Sequence, residues 1–106
     1  MSSNNSSTEM SFNSVNIDRL RQLMSSFCQQ HNYKTASYWA DIIVSLSNGD
    51  PKDVYQLAHC FYQCKEYHRA AYAIKIRNLH KNNLPCRHLA AKCYVSLSFN
   101  LHIFVC

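Results

Sequence analysis

Apolar residues recur along this chain at spacings of three and four, which is the pattern of helices that bury one face. A first helix is predicted to begin near Ile17, and a second is predicted from about Lys34 to Ser47. The apolar stripe of the first helix consists of Leu20, Leu23, Met24 and Phe27. The stripe of the second helix consists of Ala36, Trp39, Ala40, Ile43 and Val44. Gly49 follows as a strong stop signal, because glycine readily adopts the left-handed conformation that ends helices.

Three further helices are predicted downstream. Asp50 is a favourable N-cap and Pro51 suits the first helical position, so the third helix has a clear start. Its stripe consists of Val54, Leu57, Ala58 and Phe61. A fourth helix, with Tyr67, Ala70, Ala71 and Ile74 on its apolar side, is predicted to reach about His80. A fifth, from Cys86 to about Val95, presents Leu89, Ala90, Ala91 and Tyr94.

The sequence also repeats itself at a period of about 34 residues, the length of a known helix-turn-helix repeat. This shift places residues 17–50 on residues 51–84 with nine identities, where composition alone would give roughly two. The identical pairs are Gln22/Gln56, Leu23/Leu57, Phe27/Phe61, Gln29/Gln63, Tyr33/Tyr67, Ala36/Ala70, Tyr38/Tyr72, Ile42/Ile76 and Asn48/Asn82. A period of this length is typical of tetratricopeptide (TPR) repeats. A generic antiparallel bundle with coincidental spacing is the alternative.

The predicted fold is therefore all-α, a TPR-type helical solenoid of about two and a half helix-turn-helix repeats. We expect Ala36 and Ala70 where two helices cross closely, and Phe27 and Phe61 in the space between the helices. The predicted repeat core consists of Leu20, Leu23, Phe27, Tyr33, Ala36, Ala40, Val54, Leu57, Ala58, Phe61, Tyr67, Ala70, Ile74, Ala91 and Tyr94.

Both ends of the chain depart from the repeat. Residues 1–16 are rich in Ser and Asn and are predicted to be disordered. The repeats are predicted over residues 17–50, 51–84 and, in part, 85–95. Matching Ala91 to Ala58 in the partial repeat requires a step that is one position shorter than the full period. In residues 96–106 apolar and polar side chains alternate, which predicts a divergent, strand-like apolar tail and no second helix for the third repeat.

Composition adds few constraints. The net charge of +5 comes from eleven basic residues scattered among six acids, which is typical of a solvated helix surface. Neither a secretory signal nor a membrane-spanning apolar stretch is evident, so we expect a location in the nucleus and cytoplasm. The six cysteines are expected to be free thiols. A zinc site at Cys60 and Cys64 with His59 or His68 is disfavoured, because no Cys-x-x-Cys pair is present. Neither a metal nor a cofactor is expected.

Several short segments resemble subunit six of the anaphase-promoting complex (cyclosome), the TPR family also called cell division cycle protein sixteen. The matching segments are ASYWAD (36–41), SLS (45–47), DPKDVY (50–55), LAHCFY (57–62), YHRAA (67–71) and CRHLAA (86–91). The general TPR pattern does not dictate Trp39-Ala40-Asp41 or the YHRAA segment, so the resemblance is more specific than a generic TPR match. It extends from about Ile17 to Tyr94.

The resemblance implies a non-catalytic scaffold subunit of a multisubunit ubiquitin ligase that acts in the mitotic cell cycle. In that family the N-terminal repeats form a homodimer, while later repeats bind a small stabilising subunit and neighbouring subunits. We therefore expect this chain to form a homodimer and to contact other subunits of the ligase. Because its sequence leaves the family pattern after Tyr94, we also expect a truncated or alternatively ended form.

Two other functions of helical repeats stay open. A peptide-binding adaptor would use a concave groove, although the Lys and Asn arrangement of carboxylate clamps is missing here. The groove candidates are Arg21, Ser25, Tyr55, His59 and Tyr62. RNA binding is disfavoured because the sequence has no basic stripe, and neither a nucleic acid nor a membrane is expected as a partner. An enzyme is not expected either, since a single glycine cannot form a phosphate-binding loop and no nucleophile motif occurs.

Overall fold

Six helices make up the part of the chain that the structure describes. A computed structural model describes the backbone of residues 17–105 and the side chains of residues 17–99. Helix α1 covers residues 17–29. It is followed by α2 (Tyr33–Leu46), α3 (Pro51–Gln63), α4 (Tyr67–Lys75), α5 (Leu79–Asn82) and α6 (Leu84–Val105). No strand occurs between residues 17 and 105, and the predicted all-α class is confirmed. The predicted disordered tail, residues 1–16, lies outside the described residues.

The turn inside each helix pair has the same backbone geometry in both repeats. His31 and Lys65, which occupy equivalent positions of the two repeats, adopt left-handed conformations with φ of 60° and 64°. The amide of the next residue then donates a 2.9 Å hydrogen bond to the carbonyl oxygen of Phe27 in the first turn and of Phe61 in the second. The period seen in the sequence is therefore repeated in the hydrogen bonds of the backbone.

The boundary between the two repeats follows the predicted stop and start signals. Gly49 has a left-handed φ of 81°, and its amide donates to the carbonyl oxygen of Val44 over 2.9 Å. The carboxylate of Asp50 then accepts a 2.9 Å hydrogen bond from the amide of Lys52. Pro51 occupies the first helical position, where a missing amide hydrogen costs nothing.

The buried core consists largely of small residues. Ala36, Ala58 and Ala70 have no exposed surface, which allows the backbones of neighbouring helices to approach closely. Other predicted core positions that are buried are Ala40, Val54, Leu57, Phe61 and Ile74. Those that are half-buried against this core are Leu20, Phe27, Tyr33 and Tyr67. Most of the predicted core positions therefore lie in the core or against it.

Three predicted core residues are instead exposed: Leu23, Ala91 and Tyr94. On α6 the buried residues are Cys86, Leu89, Ala90 and Cys93, which correspond in order to Val54, Leu57, Ala58 and Phe61 of α3. The shift in sequence from α3 to α6 is therefore two residues shorter than the full period. The sequence instead suggested a match of Ala91 to Ala58, with a shift that is one residue shorter. Successive residues of a helix are rotated by about 100°. An alignment that is wrong by one residue therefore selected Ala91 and Tyr94, which face away from the core, in place of the buried Ala90 and Cys93.

The fourth helix is shorter than predicted. It ends at Lys75 instead of about His80, and Asn78 adopts a left-handed conformation with φ of 57° before the short helix α5 begins. Asparagine tolerates this conformation better than most residues, which explains a break without glycine. Arg87 of α6 binds α5 through two hydrogen bonds. Its guanidinium donates to the carbonyl oxygen of His80 over 2.9 Å and to that of Lys81 over 2.8 Å.

The strand-like tail is also wrong, because α6 continues as a helix through Val105. Neither glycine nor proline follows Pro85, so nothing in the sequence stops the helix once it has started. The helix begins at Leu84, where the side chain of Asn83 accepts a 3.1 Å hydrogen bond from the amide of Cys86. Because this segment is largely apolar, its periodicity alone does not distinguish a strand from a helix. The predicted boundaries of the repeats and the tail stay predictions.

We predict that Ala70→Leu lowers the free energy of unfolding by about 1–3 kcal/mol, because a larger side chain overpacks a fully buried position. The matched control is Ala91→Leu on the exposed side of α6, which should change stability by less than about 0.5 kcal/mol. Urea unfolding followed by circular dichroism measures both. An Ala70→Leu midpoint equal to that of the wild type would contradict the assigned packing.

Candidate protein-binding surface

The first helices of the three repeats, α1, α3 and α6, present two neighbouring depressions. The first depression, between α1 and α3, has a volume of about 440 Å³. It is lined by Arg21, Met24, Ser25, Cys28, Asp50, Lys52, Asp53 and Gln56. The second depression, between α3 and α6, has a volume of about 410 Å³. It is lined by Tyr55, Leu84, Pro85, His88, Leu89 and Lys92.

An ion pair between Arg21 and Asp53 joins α1 to α3 at the first depression. Nε of Arg21 donates to Oδ1 of Asp53 over 3.0 Å, and Nη2 donates to Oδ2 over 2.7 Å. Asp53 is only 5% exposed, and Asp18 adds a 3.3 Å contact to the same guanidinium. The hydrogen bond to Asp53 is the main cause that raises the pKa of Arg21. Arg21 is therefore held by partners within the chain, unlike the cation of a carboxylate clamp.

His59 lies at the centre of an aromatic group on α3. Its ring stacks on Tyr55, with centroids 6.1 Å apart and 16° between the planes, and it meets Tyr33 edge-on. Nε2 of Gln63 lies 3.2 Å from Nε2 of His59, within hydrogen-bonding distance. Burial, and then the positive charge of Lys92, lower the pKa of His59, so the neutral ring is favoured.

The second depression is apolar and positively charged. Nζ of Lys92 lies 5.2 Å from the centroid of the Tyr62 ring, within the range of a cation–π interaction, and Tyr62 meets Tyr67 edge-on at 5.3 Å. His88 lies one helical turn before Lys92, and no carboxylate is among the lining residues. Arg21 and Arg69 form the ion pairs found among the described side chains. Lys92 has no carboxylate partner among these pairs.

The five candidate groove residues are divided between these surfaces. Arg21 and Ser25 line the first depression, whereas Tyr55 lines the second. His59 and Tyr62 lie further along α3, where they contact Tyr55 and the Lys92 side chain, respectively. The structure therefore brings Tyr55, His59 and Tyr62 together and separates them from the two residues of α1.

Sequence reasoning missed three residues that line these depressions. It proposed no partner for Asp53, and it did not consider His88 or Lys92. For Asp53 and Lys92, the signal that could have found them is the separation in sequence from a partner in the preceding repeat. Asp53 follows Arg21, and Lys92 follows His59, at a separation only one or two positions short of a full repeat.

Three sulfur atoms lie together between α1 and α3. Sγ of Cys28 is 3.8 Å from Sγ of Cys60 and 3.6 Å from Sδ of Met24. Burial, with a smaller effect of Cys28, raises the pKa of Cys60 to about 12. A buried neutral thiol packs as a small apolar group, so the cluster belongs to the core.

Two kinds of feature are absent from the part of the chain that the structure describes. In residues 17–99, no three side chains of His, Cys, Asp or Glu lie close enough to hold a metal ion. The described helices are also too short or too polar to cross a membrane.

Comparison with known proteins identifies close similarities. The family model for "Anaphase-promoting complex, cyclosome, subunit 3" matches residues 29–99. The human and mouse proteins named "Cell division cycle protein 16 homolog" are each 44% identical over 80 residues, covering 76% of this chain and 13% of the relative. The yeast "Anaphase-promoting complex subunit CDC16" is 38% identical over 81 residues, covering 76% of this chain and 10% of the relative. The chain thus spans about an eighth or less of these relatives, and the resemblance found in its sequence is confirmed.

We predict a coupling free energy of about 1–2 kcal/mol between Arg21 and Asp53 in a double-mutant cycle of Arg21→Met and Asp53→Asn. The value stays below that of a fully buried pair because the Arg21 side chain is 38% exposed. The exposed pair Glu66 and Arg69 is the matched control, with Glu66→Gln and Arg69→Met expected to couple by less than about 0.5 kcal/mol. Equal coupling in the two pairs, measured by urea unfolding, would contradict the structural role of Asp53.

We further predict that iodoacetamide at pH 8 leaves Cys60 unmodified in the folded protein. The thiolate is the reactive species, and a pKa of about 12 makes it rare at this pH. The partly exposed Cys64 serves as the internal control and should react faster. Mass spectrometry of the digested protein measures each site, before and after unfolding in urea. Modification of folded Cys60 at the rate of Cys64 would show that the buried thiol is open to solvent.

Proposed function

Because this chain belongs to the anaphase-promoting complex, cyclosome, subunit 3 family, we propose that it is a non-catalytic scaffold of that ubiquitin ligase. In this proposal it acts in the mitotic cell cycle, in the nucleus and cytoplasm, and binds other subunits of the ligase. It also self-associates as a homodimer through its first repeat. The names of its relatives, which are subunits of this complex, support the scaffold role.

The exposure of Leu23 is the observation that carries the self-association. Leu23 of α1 is 38% exposed, whereas its equivalent in the second repeat, Leu57 of α3, is 3% exposed. Helix α3 has α2 and α4 packed against it. Helix α1 has no earlier helix beside it within the described residues. Among the described residues, the same repeat position is therefore buried in α3, which follows another repeat, and exposed in α1.

A second copy of the chain would cover this open end. Stacks of helical repeats generally need three or more repeats for stability, and their terminal repeats usually have polar outer faces. This chain has about two and a half repeats and presents an apolar residue, Leu23, at its first helix. Pairing through α1 would remove that surface from water and lengthen the stack.

A second candidate function is a peptide-binding adaptor. It is favoured by the second depression, where apolar side chains and the cation of Lys92 lie between α3 and α6 without a carboxylate. Pockets of a few hundred cubic ångströms that combine apolar walls with a few polar groups are typical of ligand sites. This function is compatible with self-association, because the two surfaces involve different helices.

We predict that Leu23→Glu converts the protein from a dimer to a monomer without loss of helix. A charge at this position opposes burial against a second copy but remains solvated in the monomer. The matched control is Leu46→Glu, since Leu46 is also a partly exposed leucine, at the end of α2, and should leave the dimer intact. Light scattering at tens of micromolar measures the molar mass against the 12.3 kDa of one chain.

Two results would reject the proposed interface. One is a well-folded wild-type protein that remains monomeric over this concentration range. The other is equal loss of the dimer in Leu46→Glu and Leu23→Glu, which would show that the contact does not depend specifically on Leu23 of α1. Circular dichroism of each variant separates loss of pairing from loss of folding.

A further inference from the structure

The second depression has the chemistry of a receptor for negatively charged chains. We propose that it binds an extended acidic peptide segment of another protein, with Lys92 and His88 facing its carboxylates and Leu84 and Pro85 contacting its aliphatic side chains. This inference rests on the second candidate function, the peptide-binding adaptor, and is independent of self-association.

The apolar part of the site is formed by the start of α6. Leu84 is 60% exposed, and Pro85 beside it is also exposed. Leu89, which is buried, and Tyr55 of α3 also line the depression. The exposed leucine and proline give an aliphatic side chain of a ligand two surfaces to contact.

The charge of the site is held in place and is not neutralised within the depression. Lys92 lies over the ring of Tyr62, which restricts the position of its ammonium group. The same positive charge contributes to lowering the pKa of His59, so it acts on its neighbours. A ligand carboxylate would supply the counter-charge that the lining residues lack.

The first depression provides an internal comparison. It contains the cations of Arg21 and Lys52, but Asp50 and Asp53 line it as well, and Arg21 is paired with Asp53. An acidic ligand there would meet carboxylates as well as cations. The two depressions have similar volumes, so the difference in charge, more than the difference in size, selects the second one.

The surroundings favour a peptide over RNA. Binding of single-stranded RNA relies on several phosphate contacts and on aromatic rings that are free to stack on bases. The second depression offers one lysine and one histidine at its lining, and the ring of Tyr55 already stacks on His59. Leucine and proline side chains suit the aliphatic groups of a peptide better than a nucleotide.

The test uses the full chain and fluorescence anisotropy with three labelled probes. These are a peptide of alternating Glu and Leu, the same peptide with Gln in place of Glu, and an oligouridylate of equal charge. We expect the acidic peptide to bind at least about tenfold more tightly than the Gln peptide, and to weaken as salt is raised. Equal binding of the two peptides would overturn the acidic specificity and leave the adaptor function standing. No binding of either peptide would reject both.

Charge reversal at two comparable lysines locates the site. Lys92 lies over Tyr62, and Lys75 lies over Tyr94 at a similar distance of 5.3 Å but outside the depression. We expect Lys92→Glu to weaken binding of the acidic peptide at least about tenfold and Lys75→Glu to weaken it less than about twofold.

The remaining outcomes each decide the proposal. Equal effects of the two variants would show non-specific attraction to a basic protein and overturn the site. Tighter binding of the oligouridylate would indicate a nucleic-acid surface instead. Should Lys92→Glu fail to fold, as judged by circular dichroism, Lys92→Gln takes its place with an expected loss of about threefold. No loss in a folded Lys92→Gln protein would then overturn the proposal.

Discussion

The close approach of paired helices at alanine sets the geometry of this protein. Ala36 and Ala70 occupy the same position in successive repeats, and neither has any exposed surface. Because the side chain at each position is only a methyl group, a neighbouring helix can approach closely there. The left-handed turns at His31 and Lys65 then reverse the chain direction at the same position of each repeat. Together these features bring α1, α3 and α6 near enough to form the depressions.

A repeated backbone has nevertheless produced two surfaces of different chemistry. Arg21 and Tyr55 occupy equivalent positions in α1 and α3, as do Ser25 and His59. The first helix uses its arginine to bind Asp53 across the helix boundary. In the second repeat, rings replace both polar side chains, and the charge comes from α6. Stacking of the repeats fixes the framework, whereas the side chains that occupy equivalent positions determine what each depression can bind.

The sequence predicted the features that depend on local patterns. The all-α class, the alanine positions and the start of α3 at Asp50 follow from spacing and capping, which are properties of neighbouring residues. The break at Asn78 was not predictable in this way, because its left-handed conformation satisfies the packing of α4 and α5 against α6. The misalignment at Ala91 had a similar origin. Either Ala90 or Ala91 can be matched to Ala58, and only the packing of α6 shows that Ala90 is the buried one.

The candidate surface was predictable only in part, for the same reason. Tyr55, His59 and Tyr62 fall on one side of a helix, and the structure places them together. The pairing of Arg21 with Asp53 depends on how two helices lie against each other, which no single helical pattern contains.

The contact of Arg87 with α5 bears on how the chain folds. A helix as short as α5 is not stable alone, yet it is held where Arg87 satisfies the carbonyl oxygens of His80 and Lys81. The end of the second repeat is thus ordered by the first helix of the third. Because α5 depends on these hydrogen bonds, unfolding of α6 would remove the partners that hold it. We therefore expect intermediates that retain the end of the second repeat without α6 to be scarcely populated.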